Sequence, residues 1–498
     1  MAMSSFPFRA VLFLNLTGLA VLLMIYYIHS VDRFTKRNIK VDSFLFAYGN
    51  LPLDHSNEAI TYFENVMYEH DPFYNKSTSY TAASPNIDIQ PKYRGLKEMC
   101  SSKSQPLRCP SNKFGKCIKI SLVGLCGHWN TVGLLRALPA EISSCGTPRN
   151  ISIVIDHAAT ASAISTSDIV VFLFVNNYLN MNVWQSLRYF KPAGQMWVFQ
   201  TEESPYYAIG LLPPWIYRND SFDISNTYRT SADIYSPYGY FEPFRTEESN
   251  QVGNISAVIE NKSRFMIWIS SHCETLQWDR TKFARDLQKI MKVDIFGRCG
   301  NDTLCKCRWQ QNCRNEVDDF VRTYKFSLAL ENSCCEDYIT EKLWHTYSVG
   351  NIPVVVGPKI QNYEKLVPPG SFIHADQFKS IHDLKKYLEY LDRNDTAYLE
   401  YFQWRTVGKI SEHSIKDHFQ SHLSNPVMCS IVNKYIERQD MAKKQNDGKR
   451  GKLDGVKMFD PYGPEWKGTC HSCGDNQWIK DYEYPPGHKR QEEWIWAR

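Results

Sequence analysis

Apolar runs and polar breaks alternate along this chain in a regular way from Lys119 onward. KISLVGL, ISIVIDH, SDIVVFLF and GQMWVFQ are short runs rich in β-branched residues, each closed by glycine, proline or a polar cluster. They read as strands, with a helix-like stretch over Thr131 to Ser144 between the first two. A second series opens at Arg264 with RFMIWISS and continues with KVDIFG, FSLALEN and IPVVVGP. Between its members, Arg280 to Met291 places Phe283, Leu287 and Ile290 on one helical face. DYITEKLWHTYSVG, from near Asp337, and HDLKKYLEYLDR are further helix-forming stretches. Strands alternating with helices predict βαβ units on parallel, buried sheets. The polar segment 246–263 separates the two series, so the expected fold class is α/β, two Rossmann-like domains facing each other.

The amino-terminal pattern is of another kind. Val11 to Ile28 is eighteen residues long with only Asn15 and Thr17 clearly polar, close to the roughly 20 helical residues that cross a bilayer of about 30 Å. Tyr26 and Tyr27 stand where interfacial aromatics stand, and no small-residue cleavage site follows the run. An uncleaved anchor is expected, with a signal peptide as the alternative. Positive charge is denser after the span (Arg33, Lys36, Arg37, Lys40) than before it (Arg9), which taken alone would keep the downstream flank cytoplasmic. Seven sequons, at Asn75, Asn150, Asn219, Asn254, Asn261, Asn301 and Asn394, argue for the opposite orientation. So do fifteen cysteines clustered in loop-like, charged segments, a pattern that suits disulfides in an oxidising lumen. CKC at 305–307 and CHSC at 470–473 offer zinc ligands as a rival reading, without the second pair of a finger-like site. A lumenal body behind a single-pass type II anchor is the expectation.

Composition adds little to this picture. The 498 residues are 43% hydrophobic and 22% charged, and the net charge of +4 gives no sign of a nucleic-acid partner. The expected division is a short tail over 1–10, an anchor over 11–28 and a stem over 29–114. A first domain over 115–245, a linker over 246–263 and a second domain over 264–440 follow, and 441–498 is a basic link with a cysteine-containing tail.

Residues 326–358 carry the sharpest chemistry. A buried strand ends at Glu331-Asn332-Ser333, a polar turn follows, and a helix begins. In open α/β sheets, ligands bind at the carboxyl ends of strands. A helix start adds free N–H groups and partial positive charge, a ready anion site. Lys342 suits a diphosphate and Glu341 a ribose diol, although the two are equally able to form a solvated helix face. This stretch resembles the signature of the α1,3/4-fucosyltransferase family: a strand, an E-N-S turn, a D-Y-[IV]-T-E-K helix start and a P-V-V-x-G strand. YEKLVPPGSFIHADQF (363–378) is similar to the segment that follows it, and the similarity extends weakly over Lys119 to Trp404. The resemblance implies a GT-B fold, GDP-fucose as donor, inversion at the anomeric carbon and no required metal. In agreement with the last point, neither domain contains an Asp-x-Asp. It further implies Glu341 on the ribose, with Lys342, Tyr338, Asn332 and Arg280 around the diphosphate.

GQMWVFQTEESPYY (194–207) is similar to the family's W-V-x-x-x-x-E-S-P segment, whose glutamate is the proposed base, here Glu203; a one-residue slip would exchange it with Glu202. TYRTSADIYSPYGYF (227–241) matches a further family block, so Tyr228, Arg229, Asp233 and Tyr238 line the cleft or pack the domain edge. His128-Trp129-Asn130 is a candidate acceptor contact. The expected activity is therefore α1,3-fucosyl transfer to a GlcNAc-containing glycan at the Golgi membrane, without a cofactor. The alternatives are a fucosyltransferase acting on core GlcNAc or on protein, a related transferase using another nucleotide sugar, and an inactive lumenal glycan-binding protein.

Overall fold

The structure, a computed structural model, describes residues 116–124, 138, 140–142, 145, 151–158, 161–174, 191–208, 212, 222–245, 255–300, 304, 311–412, 425–444, 458–485 and 488. They belong to Ile89–Arg498, the second of two compact units. The expected anchor, the stem and the segment 128–130 lie outside them. No helix among the described residues is long and apolar enough to cross a membrane.

The first sheet holds β1 (Lys116–Val123), β2 (Ala140–Ile142), β3 (Ile151–His157), β4 (Ile169–Leu173), β5 (Met196–Thr201), β6 (Ile224–Thr227) and β7 (Ile234–Tyr235), in the order β2-β3-β1-β4-β5-β6-β7. Every neighbouring pair is parallel except β2 with β3. β4 and β5 are buried along their whole length, which explains why they read as continuous apolar runs rather than alternating ones. The helix expected through Ser144 is corrected at its end. Ala140–Ile142 is an edge strand paired with Ile153, Val154 and Ile155, and this pairing overrides the local helix preference.

From β8 (Gly239–Pro243) the chain enters the second sheet: β9 (Arg264–Ile269), α1 (Arg280–Ile290), β10 (Val293–Phe296), α2 (Gln311–Arg322), β11 (Tyr324–Leu330), α3 (Glu341–Ser348), β12 (Ile352–Val356) and β13 (Ile373–His374). Its strands run parallel in the order β10-β9-β11-β12-β13. The strand order reverses between β9 and β11, and the carboxyl ends of those two strands flank the crevice where ligands gather in such sheets. α2 packs Val317, Phe320 and Val321 with Ile267, Tyr324 and Val349. Part of the polar linker is docked as well: Ile255, Val258 and Ile259 pack on the core of the second sheet.

α3 starts four residues later than its sequence suggests. Asp337 has a φ of 61°, a left-handed conformation no α-helix admits, and Thr340 is the N-cap. Beyond α4 (Ile381–Arg393), the chain returns to the first half. β14 (Gly408–Glu412) pairs antiparallel with β8, and the ribbon lies so close to α3 that a Cβ on Gly239 would meet the Trp344 ring at 2.5 Å. α5 (Asn425–Lys444) then lays Met428, Ile431, Val432 and Tyr435 on the first sheet, and Cys429 is bonded to Cys145. By sequence α5 falls largely within 264–440, but its apolar face packs with the first sheet.

The cysteine-containing tail is built into the body. Phe459 bridges to Phe222, Trp466 is buried among Phe199 and Tyr228, and Ile479 and Tyr482 join the core of the second sheet. Cys470 and Cys473 bond Cys335 and Cys334, so these cysteines are disulfide partners and not zinc ligands. Cys273–Cys299 closes the loop after β9. One apolar cluster runs without a break from Phe172, Phe199 and Tyr228 of the first half to Tyr338, Leu343 and Trp344 of the second.

Candidate functional site

Two strand ends meet at this boundary. In the first half, β5 stops at Thr201 and the chain turns through Glu202, Glu203 and Ser204. Ser204 and Ser333, just beyond β11, are hydrogen-bonded hydroxyl to hydroxyl, so the ends of β5 and β11 are in contact. The Glu203 N–H donates to Thr201 Oγ1 at 3.1 Å, and its carboxylate Oε2 accepts the Tyr338 hydroxyl at 3.1 Å. Tyr338 is buried, its ring tilted against Tyr228 and Tyr238 with centroids 5.0 and 6.4 Å away. Of the two adjacent glutamates, Glu203 is half-buried and faces the second half, whereas Glu202 is buried. Burial pushes the Glu202 carboxyl well above its ordinary range, and the charges of Glu203 and Glu341 push it further.

At the start of α3, three charged side chains form one group. Glu331 is fully buried, and its two oxygens accept Thr340 N–H and Thr340 Oγ1, each at 2.8 Å. Lys342 Nζ donates to Thr340 Oγ1 at 2.7 Å and Glu341 Oε1 at 3.1 Å, and lies 3.4 Å from Glu331 Oε2. Because the Thr340 hydroxyl is committed to Glu331, it does not cap α3. Burial works against charge on all three groups. Around Lys342 the two carboxylates prevail over it and raise the ammonium pKa. At Glu341 the lysine prevails and holds the carboxyl low. At Glu331 burial wins and the pKa rises. The group thus keeps an ammonium and a carboxylate ionised, partly exposed at 23% and 26%, at the positive end of a helix.

The remaining predicted residues fall around this centre in different ways. Arg280 opens α1 and is buried, donating from Nη1 to Leu330 O at 3.0 Å and from Nη2 to His272 O at 2.6 Å and Ser270 Oγ at 3.3 Å. It ties the carboxyl ends of β9 and β11 together; its charge acts on Lys342, and that of Glu341 acts on it. Asn332 sits at the β11 exit with Oδ1 buried and lacking a hydrogen-bond partner. Tyr338, expected at the diphosphate, donates its hydroxyl to Glu203 in this structure. Tyr238 Oη donates to Glu202 O at 2.8 Å, and Arg229 pairs with Glu336 at 3.0 Å, so both face the boundary. Asp233 accepts Ser225 N–H at 2.8 Å inside the first half and serves packing.

Glu331 and Asp337 are the residues that reading the sequence for function passed over. The signal for Glu331 was available: an acid ending the largely apolar strand FSLAL is buried, and a buried acid needs donors. Among the described residues no group of acids, cysteines and histidines has the arrangement of a metal site.

Two family models match this chain: "Fucosyltransferase, N-terminal" over 140–239 and "Glycosyltransferase family 10 (fucosyltransferase) C-term" over 259–448, together more than half its length. It is 39% identical over 216 residues to alpha-(1,3)-fucosyltransferase 4 of Bos taurus, covering 43% of this chain and 51% of that one. To 4-galactosyl-N-acetylglucosaminide 3-alpha-L-fucosyltransferase FUT5 of Homo sapiens it is 37% identical, covering 43% and 53%. The chain thus spans about half the length of the curated relatives it matches. Among solved structures, an alpha1,3-fucosyltransferase with GDP-fucose aligns with a TM-score of 0.34 and 17% identity, over 68% of this chain and 97% of that one. The chain belongs to glycosyltransferase family 10, the fucosyltransferase family.

Proposed function

We propose that this protein transfers L-fucose from GDP-fucose, in α1,3 linkage, to a GlcNAc-containing glycan, using a GT-B-type pair of domains. The observation that carries the reading is the hydrogen bond from Tyr338 to Glu203. It brings a carboxylate of the first sheet to the turn that leads into the Glu331–Glu341–Lys342 group of the second. An inverting transfer needs both. The acceptor hydroxyl oxygen attacks the anomeric carbon, the bond from that carbon to the phosphate oxygen breaks, and GDP leaves with the electron pair. Glu203 takes the hydroxyl proton as general base. Lys342 and the α3 amino terminus meet the charge growing on the diphosphate, and Glu341 accepts from the ribose hydroxyls. Arg280 braces the crevice and adds long-range positive charge.

The names of the relatives support the sugar, the linkage and the galactosyl-N-acetylglucosaminide class of acceptor. The disulfides Cys145–Cys429, Cys273–Cys299, Cys334–Cys473 and Cys335–Cys470 support a body folded in an oxidising compartment, which fits a Golgi lumen reached through the anchor at 11–28. The test is to incubate the detergent-extracted full chain with GDP-fucose and N-acetyllactosamine, a core-GlcNAc glycopeptide or an unglycosylated protein, with and without EDTA. The expected product is an α1,3-linked fucose on a GlcNAc residue, formed equally in EDTA. Transfer from another nucleotide sugar only, or to none of the acceptors, contradicts the reading.

A further inference from the structure

Asp337 holds a left-handed backbone, φ 61°, that favours glycine, and it is the one non-glycine residue among those described to do so. Its carboxylate is buried at the boundary of the two halves. Oδ2 accepts Thr230 N–H at 3.0 Å and Thr230 Oγ1 at 2.8 Å, and Oδ1 accepts Asn362 Nδ2 at 3.1 Å. Thr230 follows β6 of the first sheet; Asn362 belongs to the segment after β12 of the second. Two flanking contacts span the same boundary: Lys365 Nζ donates to Thr230 Oγ1 at 2.9 Å, and Arg229 Nη2 lies 3.0 Å from Glu336 Oε2. The next residue is Tyr338, whose hydroxyl reaches Glu203.

A buried carboxylate on a strained backbone persists only where surrounding bonds over-determine it. Apolar packing alone would hold the two halves together, and the continuous cluster already supplies it. What the carboxylate adds is direction. It fixes the turn 335–338 to the first half one residue before the side chain that touches Glu203. We propose that Asp337 is a positioning residue of the transfer reaction, clamping the turn onto Thr230 so that Tyr338 meets and aims the Glu203 carboxylate. This rests on the reading of Glu203 as the base.

The test is a double-mutant cycle in the full chain, with kcat, the KM for GDP-fucose and GDP affinity measured for each variant. Asp337→Ala should lower kcat by about ten- to a hundredfold, the rate equivalent of one hydrogen bond to a charged group, with GDP affinity within about twofold of wild type. Asp337→Asn keeps an acceptor for Thr230 and should restore most of the loss. Asp337→Gly relieves the backbone without supplying the carboxylate and should stay as slow as the alanine variant. Tyr338→Phe combined with Asp337→Ala should be no slower than Tyr338→Phe alone. Multiplicative losses, or full activity in Asp337→Gly, overturn the proposal. If Asp337→Ala does not fold, Thr230→Val removes one donor only; its smaller loss must likewise vanish in the Tyr338→Phe background, and a loss that persists there overturns the proposal too. Glu203→Gln separates the two readings: full turnover in that variant sinks the base assignment, whereas multiplicative losses beside an inactive Glu203→Gln sink only the clamp.

Discussion

Glu202 and Glu203 are neighbours in the chain with opposite surroundings, and the difference makes a sharp prediction. Glu202 is buried and its carboxyl is pushed up by burial and by Glu203 and Glu341. A carboxyl whose folded pKa is raised destabilises the fold wherever it must be ionised. That cost is absent below the ordinary value of 4.5 and complete only above the raised folded value. Glu202→Gln should therefore match wild-type thermal stability below the ordinary value of 4.5 and gain on it as the pH rises above that value, while keeping turnover. Melting curves across pH check this, and a variant that loses stability as pH rises contradicts it. Sequence alone could not separate the two glutamates, because a shift of one residue at a strand end preserves the motif and reverses which carboxylate is solvated. Tyr338 shows the same limit: a tyrosine in a helix-start motif carries no mark of whether its hydroxyl points at a ligand or at a carboxylate on another domain.

At the level of elements, the strands were plain to read because parallel sheets buried on both faces leave unbroken apolar runs, as in IVVFL and IPVVV. α1 was legible from its amphipathic face, and Asp279 caps it with a bond to Lys282 N–H at 2.9 Å. α3 was legible in kind but not in its start, since a left-handed aspartate looks like any other helix-favouring neighbour of a tyrosine. The docking of α5 was not legible at all: its apolar residues specify a face, not the sheet that face will cover. The structure sets Ile431 fully buried against the first sheet. Ile431→Ala should cost about 2–5 kcal/mol, the range for emptying a packed core site, and should leave GDP affinity unchanged. Denaturant unfolding and calorimetry measure the two separately. An unaltered unfolding midpoint would mean that α5 contributes nothing to the core of the first half.

Across the whole molecule, the chain crosses repeatedly between its halves, through β8 and β14, through α5 and through the tail. The tail is fastened to the turn after β11 by two disulfides, and the carboxylate of Asp376 accepts the backbone N–H groups of Asp475 and Asn476 at 2.7 and 2.9 Å. Each disulfide closes a loop of well over a hundred residues, for which about 2–4 kcal/mol apiece is typical. The variant Cys470→Ser with Cys473→Ser should melt well below wild type, and reductant should narrow the gap; equal midpoints contradict this role. All of these crossings converge on one arrangement, the Glu203 carboxylate of one sheet set against the turn that leads to the charged group of the other. The measurement that tests it most directly compares Glu203→Gln with Glu341→Ala, both folded, for fucose transfer and for GDP binding by calorimetry. Glu203→Gln should lose about 10²–10⁴-fold in turnover with GDP affinity intact, and Glu341→Ala should lose about 1.5–3 kcal/mol of GDP binding. Weaker GDP binding in Glu203→Gln beside an unaffected Glu341→Ala would contradict the division of labour between the two sheets.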